Sequence, residues 1–329
     1  MMRKVFILLV VSICFVLVLG FSRAGESKRV FRKLIVGPSP SEKPQGTKAE
    51  VPMDIGIGSI VDAGRQSHGA LQPGEARATF ETSSNVLIIQ DELPQMEVLA
   101  KFLREGNRLS VKIIDQSSLP DDLSPYQAVV VFIHGDLLEK TERAIIEYTR
   151  NGGRLVCLHH SVSSKKALNK FYFDFLGMQL DKGPMEAGGY KWKACSWSLV
   201  NLNSQHFITN SGVDWDERTA YTPSDYPSSE RKYPGITLGA DSEVFVNHKF
   251  TDGREKTVLC GIVYRDVENG KTYMQDRGAW IKKQGKGTIV YFLPGHAVSD
   301  YENKNISQII LNAIMWSQTH LALPSLEFP

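Results

Sequence analysis

The chain of 329 residues contains little cysteine. Its four cysteines, Cys14, Cys157, Cys195 and Cys260, form no C-x-x-C pair. The fold is therefore not a disulfide-built scaffold, although one bridge between two of them stays open. Cys157 and Cys260 lie inside apolar strand-like runs, which predicts that they are small core residues and not reactive thiols.

Several catalytic and nucleotide-binding motifs are absent as well. The sequence has no G-x-S-x-G nucleophile elbow, no G-x-G-x-x-G dinucleotide loop and no G-x-x-x-x-G-K-[ST] phosphate loop. Charge of one sign does not dominate, because the chain has 38 basic and 36 acidic side chains. Nucleic acid is therefore not an expected partner.

One long apolar run is present, at the N-terminus. Arg3 and Lys4 precede apolar residues 5–21, and small residues follow. This order is typical of an export signal and predicts that residues 1–24 direct the protein to the periplasm or the extracellular space. Because the run is also about as long as a marginal membrane span, an uncleaved membrane anchor is the open alternative.

The rest of the chain divides by composition. Residues 25–84 are rich in proline, glycine, serine and charge and poor in aromatics, which predicts a low-complexity linker or arm. A single domain is expected at residues 85–320, followed by a tail at 321–329. Many turn signals and four of the five tryptophans fall at about 180–285, which predicts a β-rich insertion there.

The domain alternates apolar runs with helical patterns. Continuous apolar runs begin at residues 86, 109, 128, 154 and 288, as is typical of strands buried on both faces. Helical spacing between them predicts helices that include residues 96–103, 137–150, 164–176 and 303–317. The alternation predicts an α/β fold with a mainly parallel sheet flanked by helices.

Two histidines come directly after strand-like runs. His159 follows the run that begins at residue 154, and His296 follows the run that begins at residue 288. Residues beyond the carboxyl ends of parallel strands line the crevice in which ligands bind. Imidazole titrates near neutral pH and binds metals, so the pair predicts a catalytic site at this rim. The alternative is that each histidine only caps its strand.

The predicted insertion adds His206 and, in an acidic loop, Glu217. Three imidazoles, His159, His206 and His296, together with Glu217, would suit a divalent metal such as zinc. The same groups could act without metal as acid and base, with Glu217 as a catalytic residue. No H-x-H or H-E-x-x-H signature decides between these hypotheses, and a solvated turn is the third reading of the acidic loop.

Further rim and insertion residues are predicted to bind substrate. Aromatic rings stack on sugars, although they also serve as ordinary packing anchors. The predicted substrate-binding residues are His134, His160, Trp192 and His206.

Several segments resemble the motifs of the ThuA-like (trehalose-utilisation) family, within the class I glutamine amidotransferase-like superfamily. The resemblance covers about residues 85–318. The segments that carry it are residues 126–132 and 138–150, Gly-Gly and Val-Cys-Leu-His at 152–159, Phe-Leu-Gly at 175–177, Ser-Gln-His-Phe-Ile-Thr at 204–209, Asp-Glu at 216–217, Gly-Lys-Gly-Thr-Ile-Val-Tyr through Gly-His at 285–296, and 310–316.

The resemblance implies a flavodoxin-like sheet without the amidotransferase cysteine and a role in disaccharide or keto-sugar utilisation. The leading hypothesis is an exported sugar-processing protein of hydrolase or lyase type that acts on a disaccharide, glycoside or keto-sugar. Two alternatives remain open: a non-catalytic sugar-binding or surface module, and a metal-dependent hydrolase of a non-sugar substrate. The sequence does not indicate an oligomeric state.

Overall fold

The computed structural model describes residues 85–107, 109–222, 230–252 and 256–316. The predicted signal (1–24), linker (25–84) and tail (321–329) lie outside the described residues. Within the described ranges, no helix combines the length and the apolarity needed to cross a bilayer.

Strands and helices alternate through the first part of the described chain, and strands dominate the middle. The strands are β1 (Asn85–Gln90), β2 (Ser110–Ile114), β3 (Ala128–Phe132), β4 (Arg154–Leu158), β5 (Met178–Leu180), β6 (Lys191–Ala194), β7 (Trp197–Asn201), β8 (Glu217–Tyr221), β9 (Arg231–Leu238), β10 (Glu243–Val246), β11 (His248–Phe250), β12 (Lys256–Arg265), β13 (Thr272–Gln284) and β14 (Gly287–Phe292). The helices are α1 (Leu93–Arg104), α2 (Glu139–Arg150), α3 (Tyr172–Leu176), α4 (Phe207–Asn210), α5 (Val298–Glu302) and α6 (Lys304–Met315).

Five strands form a parallel core in the order β2-β1-β3-β4-β14. β3 and β14 are buried along their whole length, because a parallel sheet is covered on both faces. The five apolar runs of the sequence are the five parallel strands. The predicted α/β, flavodoxin-like fold class is thus confirmed.

Antiparallel strands extend this core into a mixed ten-stranded sheet. Beyond β14 the order continues β13-β12-β7-β9-β8, each strand antiparallel to the one before it. Two further ladders, β6 with β10 and β5 with β11, form separate two-stranded sheets. Most of the region predicted as a β-rich insertion therefore continues the main sheet, and only the short strands leave it.

The helices pack in two groups against the sheet. α1, α4, α5 and α6 contact one another, while α2 contacts α3 and the strands β4 and β14. The helical spacing in the sequence explains the first group, since Met96, Leu99, Ala100 and Leu103 of α1 are all fully buried.

The helix predicted at 164–176 is broken into a 3-10 segment, Ser164–Leu168, and α3. Two side chains in this segment bond to backbone of the preceding loop. Lys166 Nζ donates to the carbonyl of Ile133 at 2.6 Å, and the Asn169 amide exchanges hydrogen bonds with Leu137 N and O at 3.0 and 2.8 Å. These side-chain bonds compete with a continuous helical ladder, which the periodicity alone could not indicate.

The pairing of β4 with β14 fixes the position of the rim histidines. Phe292 lies opposite Leu158 in parallel register, so both strands end at the same height. The chain segments that carry His159 and His296 therefore leave the sheet side by side.

His248 is a buried histidine away from this rim. It lies in β11 between the rings of Phe250 and Tyr291, and neither ring nitrogen has a hydrogen-bond partner among the described residues. Burial, with the nearby charges of Arg277 and Lys256, lowers the pKa of His248 to about 3. The folded protein therefore holds this imidazole neutral.

We expect His248 to make the protein acid-labile. Its ordinary pKa of 6.5 lies above the folded value, so the unfolded chain binds the proton first as pH falls. Above pH 6.5 the imidazole is neutral in both states and costs no stability. As the pH falls from 6.5 to about 3, protonation of the unfolded chain lowers the free energy of unfolding by about 1.4 kcal/mol per pH unit.

Urea unfolding of wild type and His248→Leu at pH 7.5 and pH 5 tests this expectation. Between pH 7.5 and pH 5, the free energy of unfolding of the wild type should fall by about 2 kcal/mol more than that of the variant. Parallel losses in the two proteins would show that His248 is not held neutral.

Candidate functional site

The chain turns sharply where β4 ends. His159 has a positive φ of 27°, which is rare and strained for a residue with a β-carbon, and it opens a 3-10 turn, His159–Val162. The hydroxyl of Tyr291 donates to the carbonyl of His159 at 3.3 Å and supports this conformation. The rings of His159 and His160 consequently lie 4.5 Å apart, centroid to centroid.

A buried carboxylate orders the loop after β14. Asp300 Oδ2 accepts hydrogen bonds from the backbone N–H groups of Gly295, His296 and Ala297, at 3.1, 2.9 and 3.3 Å. The same oxygen accepts from the hydroxyl of Ser242 at 2.9 Å. One atom thus ties the His296 loop to the residue that precedes β10.

β10 brings a carboxylate to the two histidine segments. Glu243 Oε2 lies 3.1 Å from His159 Nε2, 3.7 Å from His296 Nδ1 and 3.9 Å from His160 Nε2. Burial alone would raise the pKa of Glu243, but the interaction with His159 and the charges of the neighbouring imidazoles outweigh it and lower that pKa. Glu243 is therefore ionised at neutral pH, at the centre of three imidazoles.

The orientation of His159 is fixed on three sides. Its Nδ1 lies 2.6 Å from the carbonyl oxygen of Leu293, which can only accept, so Nδ1 carries a proton. The ring stacks on Phe245 with 4.6 Å between centroids and is fully buried. His159 Nε2 is consequently directed at Glu243.

A second carboxylate, Glu92, holds the outer side of His160. Glu92 Oε2 lies 3.4 Å from His160 Nδ1, and Glu92 Oε1 lies 3.1 Å from His134 Nδ1. The interaction with His160 is the main cause that lowers the pKa of Glu92 to about 2, and burial lowers the pKa of His160 to about 4. At neutral pH this pair is an ionised carboxylate beside a neutral imidazole.

Among the described residues, the outer members of the cluster reach solvent and the inner ones do not. The side chains of His134, His296 and Glu92 are 55, 33 and 31 % exposed, whereas those of His159 and Glu243 are at most 9 % exposed. Burial is the main cause that lowers the pKa of His296, so its ring is neutral at pH 7. The geometry can serve acid–base chemistry at the open side or metal binding by the inner groups.

Two of the seven predicted site residues, Glu217 and His206, do not join the rim. Glu217 lies in β8, at the antiparallel edge of the sheet, and accepts a hydrogen bond from Thr237 Oγ1 at 2.8 Å. His206 caps α4, where its Nδ1 accepts from Ile208 N at 3.1 Å. The expectation that Glu217 and His206 approach the rim histidines is therefore corrected: the strand order separates Glu217 from β14, and local capping engages His206.

Trp192 occupies an intermediate place. It lies opposite Phe245 in the β6–β10 ladder, and its side chain is largely exposed. Phe245 in turn stacks on His159. Trp192 is thus one residue removed from the cluster, on the same small sheet as Glu243.

Sequence reasoning missed both carboxylates of the cluster. Glu92 follows β1 just as His159 follows β4, so the rule for residues beyond parallel strand ends could have found it. Glu243 had no such signal, because β10 belongs to a small separate sheet whose position relative to the rim no periodicity indicates.

Another concave surface lies at the opposite ends of β3 and β4. It encloses about 510 Å³ and includes Asp121, Asp122 and Glu147 in its lining. Asp121 pairs with Lys140, and Asp122 accepts from Ser124 N and Oγ. Two of its three acids are thus already engaged by neighbouring side chains, and the surface resembles a solvated crevice more than a reactive site.

Cys157 is a core residue. It lies in β4, fully buried, with its Sγ 3.6 Å from the hydroxyl of Tyr172. Burial raises the pKa of this thiol to about 12, so the nucleophilic thiolate does not form near neutral pH. A cysteine-dependent amidotransferase reaction at this position is not supported.

We expect iodoacetamide to leave Cys157 unmodified in the folded protein. The reagent cannot reach the buried sulfur, and the raised pKa keeps the thiol protonated, so no reactive thiolate is present. Peptide mass mapping before and after unfolding in urea measures this, with the unfolded sample as the positive control. Rapid alkylation of Cys157 in the native protein would contradict the assignment.

One family model and several solved structures are similar to this chain. No curated protein matches the chain in sequence. Among solved structures, the chain is similar to a ThuA-like protein from Bacteroides uniformis (16 % identity, 74 % of this chain and 95 % of that chain, TM-score 0.49). It is also similar to a cytoplasmic protein from Salmonella typhimurium (14 %, 70 % and 98 %, 0.46) and to a β-galactosidase from Bacillus circulans (11 %, 71 % and 31 %, 0.43). The family model described as ThuA, trehalose utilisation, matches residues 85–317, and the chain therefore belongs to the ThuA family.

Proposed function

We propose that this chain is an exported enzyme that acts on a disaccharide, glycoside or keto-sugar at the rim formed by β4, β14 and β10. Membership of the ThuA family links the chain to trehalose utilisation. The substrate class follows from that link, and the location of the reaction follows from the histidine and carboxylate groups gathered at one edge of the sheet.

The convergence of His159, His160, His296 and Glu243 is the observation that carries the proposal. Buried charged and titratable groups are costly, and clusters of them in a partly open cleft are typical of functional sites. A strand-capping role needs one partner for each histidine, whereas here three imidazoles face the same carboxylate oxygen within 3.9 Å.

His296 is the proposed acid–base residue. Its ring is partly exposed and neutral at pH 7, so it can accept a proton from a sugar hydroxyl or from carbon beside a keto group. Glu243, ionised and buried beside it, stabilises the imidazolium that results. His159, held by Leu293, fixes the carboxylate in place.

Residues at the open side are proposed to bind the sugar. His134 presents polar ring atoms, and Trp192 offers an exposed aromatic face on the neighbouring strand pair. His160 is buried behind His134, with 4.3 Å between the ring centroids, and supports that ring from inside. Aromatic faces stack on sugar rings, while polar groups select the hydroxyl pattern.

Paired carboxylate variants test the enzymatic proposal. Purified protein is assayed for turnover and for binding of trehalose, other glycosides and their 3-keto derivatives. With a substrate of this class, Glu243→Gln should reduce kcat/KM by about a hundredfold or more, because it removes the charge that stabilises the imidazolium. The matched control Glu217→Gln, at the far edge of the sheet, should retain wild-type turnover.

The outcomes separate the competing functions. Tight binding of a sugar without turnover would overturn the enzymatic proposal and favour a binding module. Equal losses in Glu243→Gln and Glu217→Gln would overturn the location of the site.

Export is proposed from the N-terminal pattern. The basic pair and the apolar run at residues 5–21 support it. Cell fractionation with N-terminal sequencing of the mature chain should find a soluble exported protein that begins near residue 25. A membrane-bound protein that keeps residues 1–24 would favour the anchor, and an intact chain in the cytoplasm would contradict export.

A further inference from the structure

We propose that His159 Nε2, His160 Nε2, His296 Nδ1 and Glu243 Oε2 bind one divalent transition-metal ion of the zinc class. The inference deepens the proposed function and rests on the same site. Metal binding is nevertheless measured without any sugar, so the two proposals can fail separately.

The four donor atoms lie close enough together to share one ion. One donor atom from each of these four residues lies within 4.8 Å of every other. Ligand atoms of a tetrahedral zinc site, with bonds of about 2.0–2.1 Å, are about 3.4 Å apart. The distances of 3.1, 3.7 and 3.9 Å from Glu243 Oε2 to the three imidazole nitrogens bracket that value.

The surroundings of His159 and His160 determine which ring nitrogen carries the proton. The carbonyl of Leu293 requires a proton on His159 Nδ1, and the Glu92 carboxylate favours one on His160 Nδ1. If each ring carries only that one proton, both Nε2 atoms face the Glu243 carboxylate as one acceptor against another. A proton between His159 and Glu243 would satisfy one contact, whereas a dication satisfies all of them.

His296 supplies an independent observation. Its Nδ1 is buried and has no hydrogen-bond partner among the described residues, although it lies 3.7 Å from the Glu243 carboxylate. An orphaned buried nitrogen is costly unless something binds it. A metal ion at the centre of the cluster would be that partner.

The surroundings match those of metal-binding histidines. Such residues almost always donate their second ring N–H to a carbonyl or a carboxylate, which fixes the ring and strengthens the ligand. His159 Nδ1 meets the carbonyl of Leu293 in this way, and His160 Nδ1 faces the Glu92 carboxylate at 3.4 Å without a formed hydrogen bond. Three nitrogens with one oxygen favour zinc and its neighbours over magnesium or calcium, which prefer all-oxygen sites.

A bound ion would supply Lewis acidity at the open side of the cluster, where a sugar carbonyl or hydroxyl would add as a fifth ligand. Because His296 Nδ1 would then be a ligand, the ion would take the place of His296 as the group that activates the sugar. This assignment retains the three-histidine, one-carboxylate composition expected from the sequence. It replaces two members of that set, with His160 in place of His206 and Glu243 in place of Glu217.

Metal titration of the full chain tests the inference. Protein stripped with a chelator is dialysed against zinc, and bound metal is counted by elemental analysis. Cobalt substitution reports the geometry through its visible absorption. We expect one equivalent of zinc in the wild type and at least about a hundredfold weaker binding in Glu243→Gln and His296→Asn.

Two controls keep the test specific. Glu217→Gln and His206→Asn, which alter the residues outside the cluster, should bind zinc like the wild type. Glu92→Gln alters none of the four donors but changes the carboxylate that contacts His160 and His134, and it should weaken binding about tenfold to a hundredfold. Circular dichroism of each metal-free variant shows whether the fold persists, and Glu243→Gln preserves the shape of the side chain if His296→Asn does not fold.

The results that would overturn the inference are definite. They are a wild type without stoichiometric zinc, a preference for magnesium or calcium, or equal losses in His206→Asn and His296→Asn. Zinc binding without turnover of any sugar would leave the metal site standing and overturn the proposed function. Sugar turnover by a wild type that binds no stoichiometric zinc would overturn the metal site and leave the proposed function standing.

Discussion

The parallel pairing of β4 with β14 is the constraint on which the site depends. In-register hydrogen bonding from Thr288 opposite Arg154 to Phe292 opposite Leu158 makes both strands end together. Because the two strands are neighbours, the residues that follow them leave the sheet together, and the His159 and His296 ring centroids lie 5.3 Å apart. A strand inserted between β4 and β14 would move His159 and His296 about 5 Å further apart, and the two rings could no longer face the same carboxylate.

Asp300 extends this constraint to the third segment. Its Oδ2 accepts from the backbone of residues 295–297 and from Ser242, which directly precedes Glu243. The loop that carries His296 and the strand that carries Glu243 are therefore held by one buried atom. The strained conformation of the residue after β4 is consistent with a site whose geometry the surrounding packing over-determines.

The sequence predicted the parallel core and the histidine rim because both follow from short-range rules. Continuous apolar runs indicate buried strands, and residues just past such runs lie at the ligand-binding edge. Glu243 could not be found this way, since the position of β10 depends on long-range packing of a separate two-stranded sheet. The acidic neighbours of Glu217 favour it as a site residue, but β8 pairs with β9 at the far edge of the sheet.

The central claim is that three imidazoles and one carboxylate converge on a single ion-binding point at this rim. Anomalous diffraction from crystals of the zinc-loaded protein tests it most directly. The account predicts one strong peak about 2 Å from His159 Nε2, His160 Nε2, His296 Nδ1 and Glu243 Oε2. A peak at His206 or Glu217, or these four side chains turned away from one another, would contradict it.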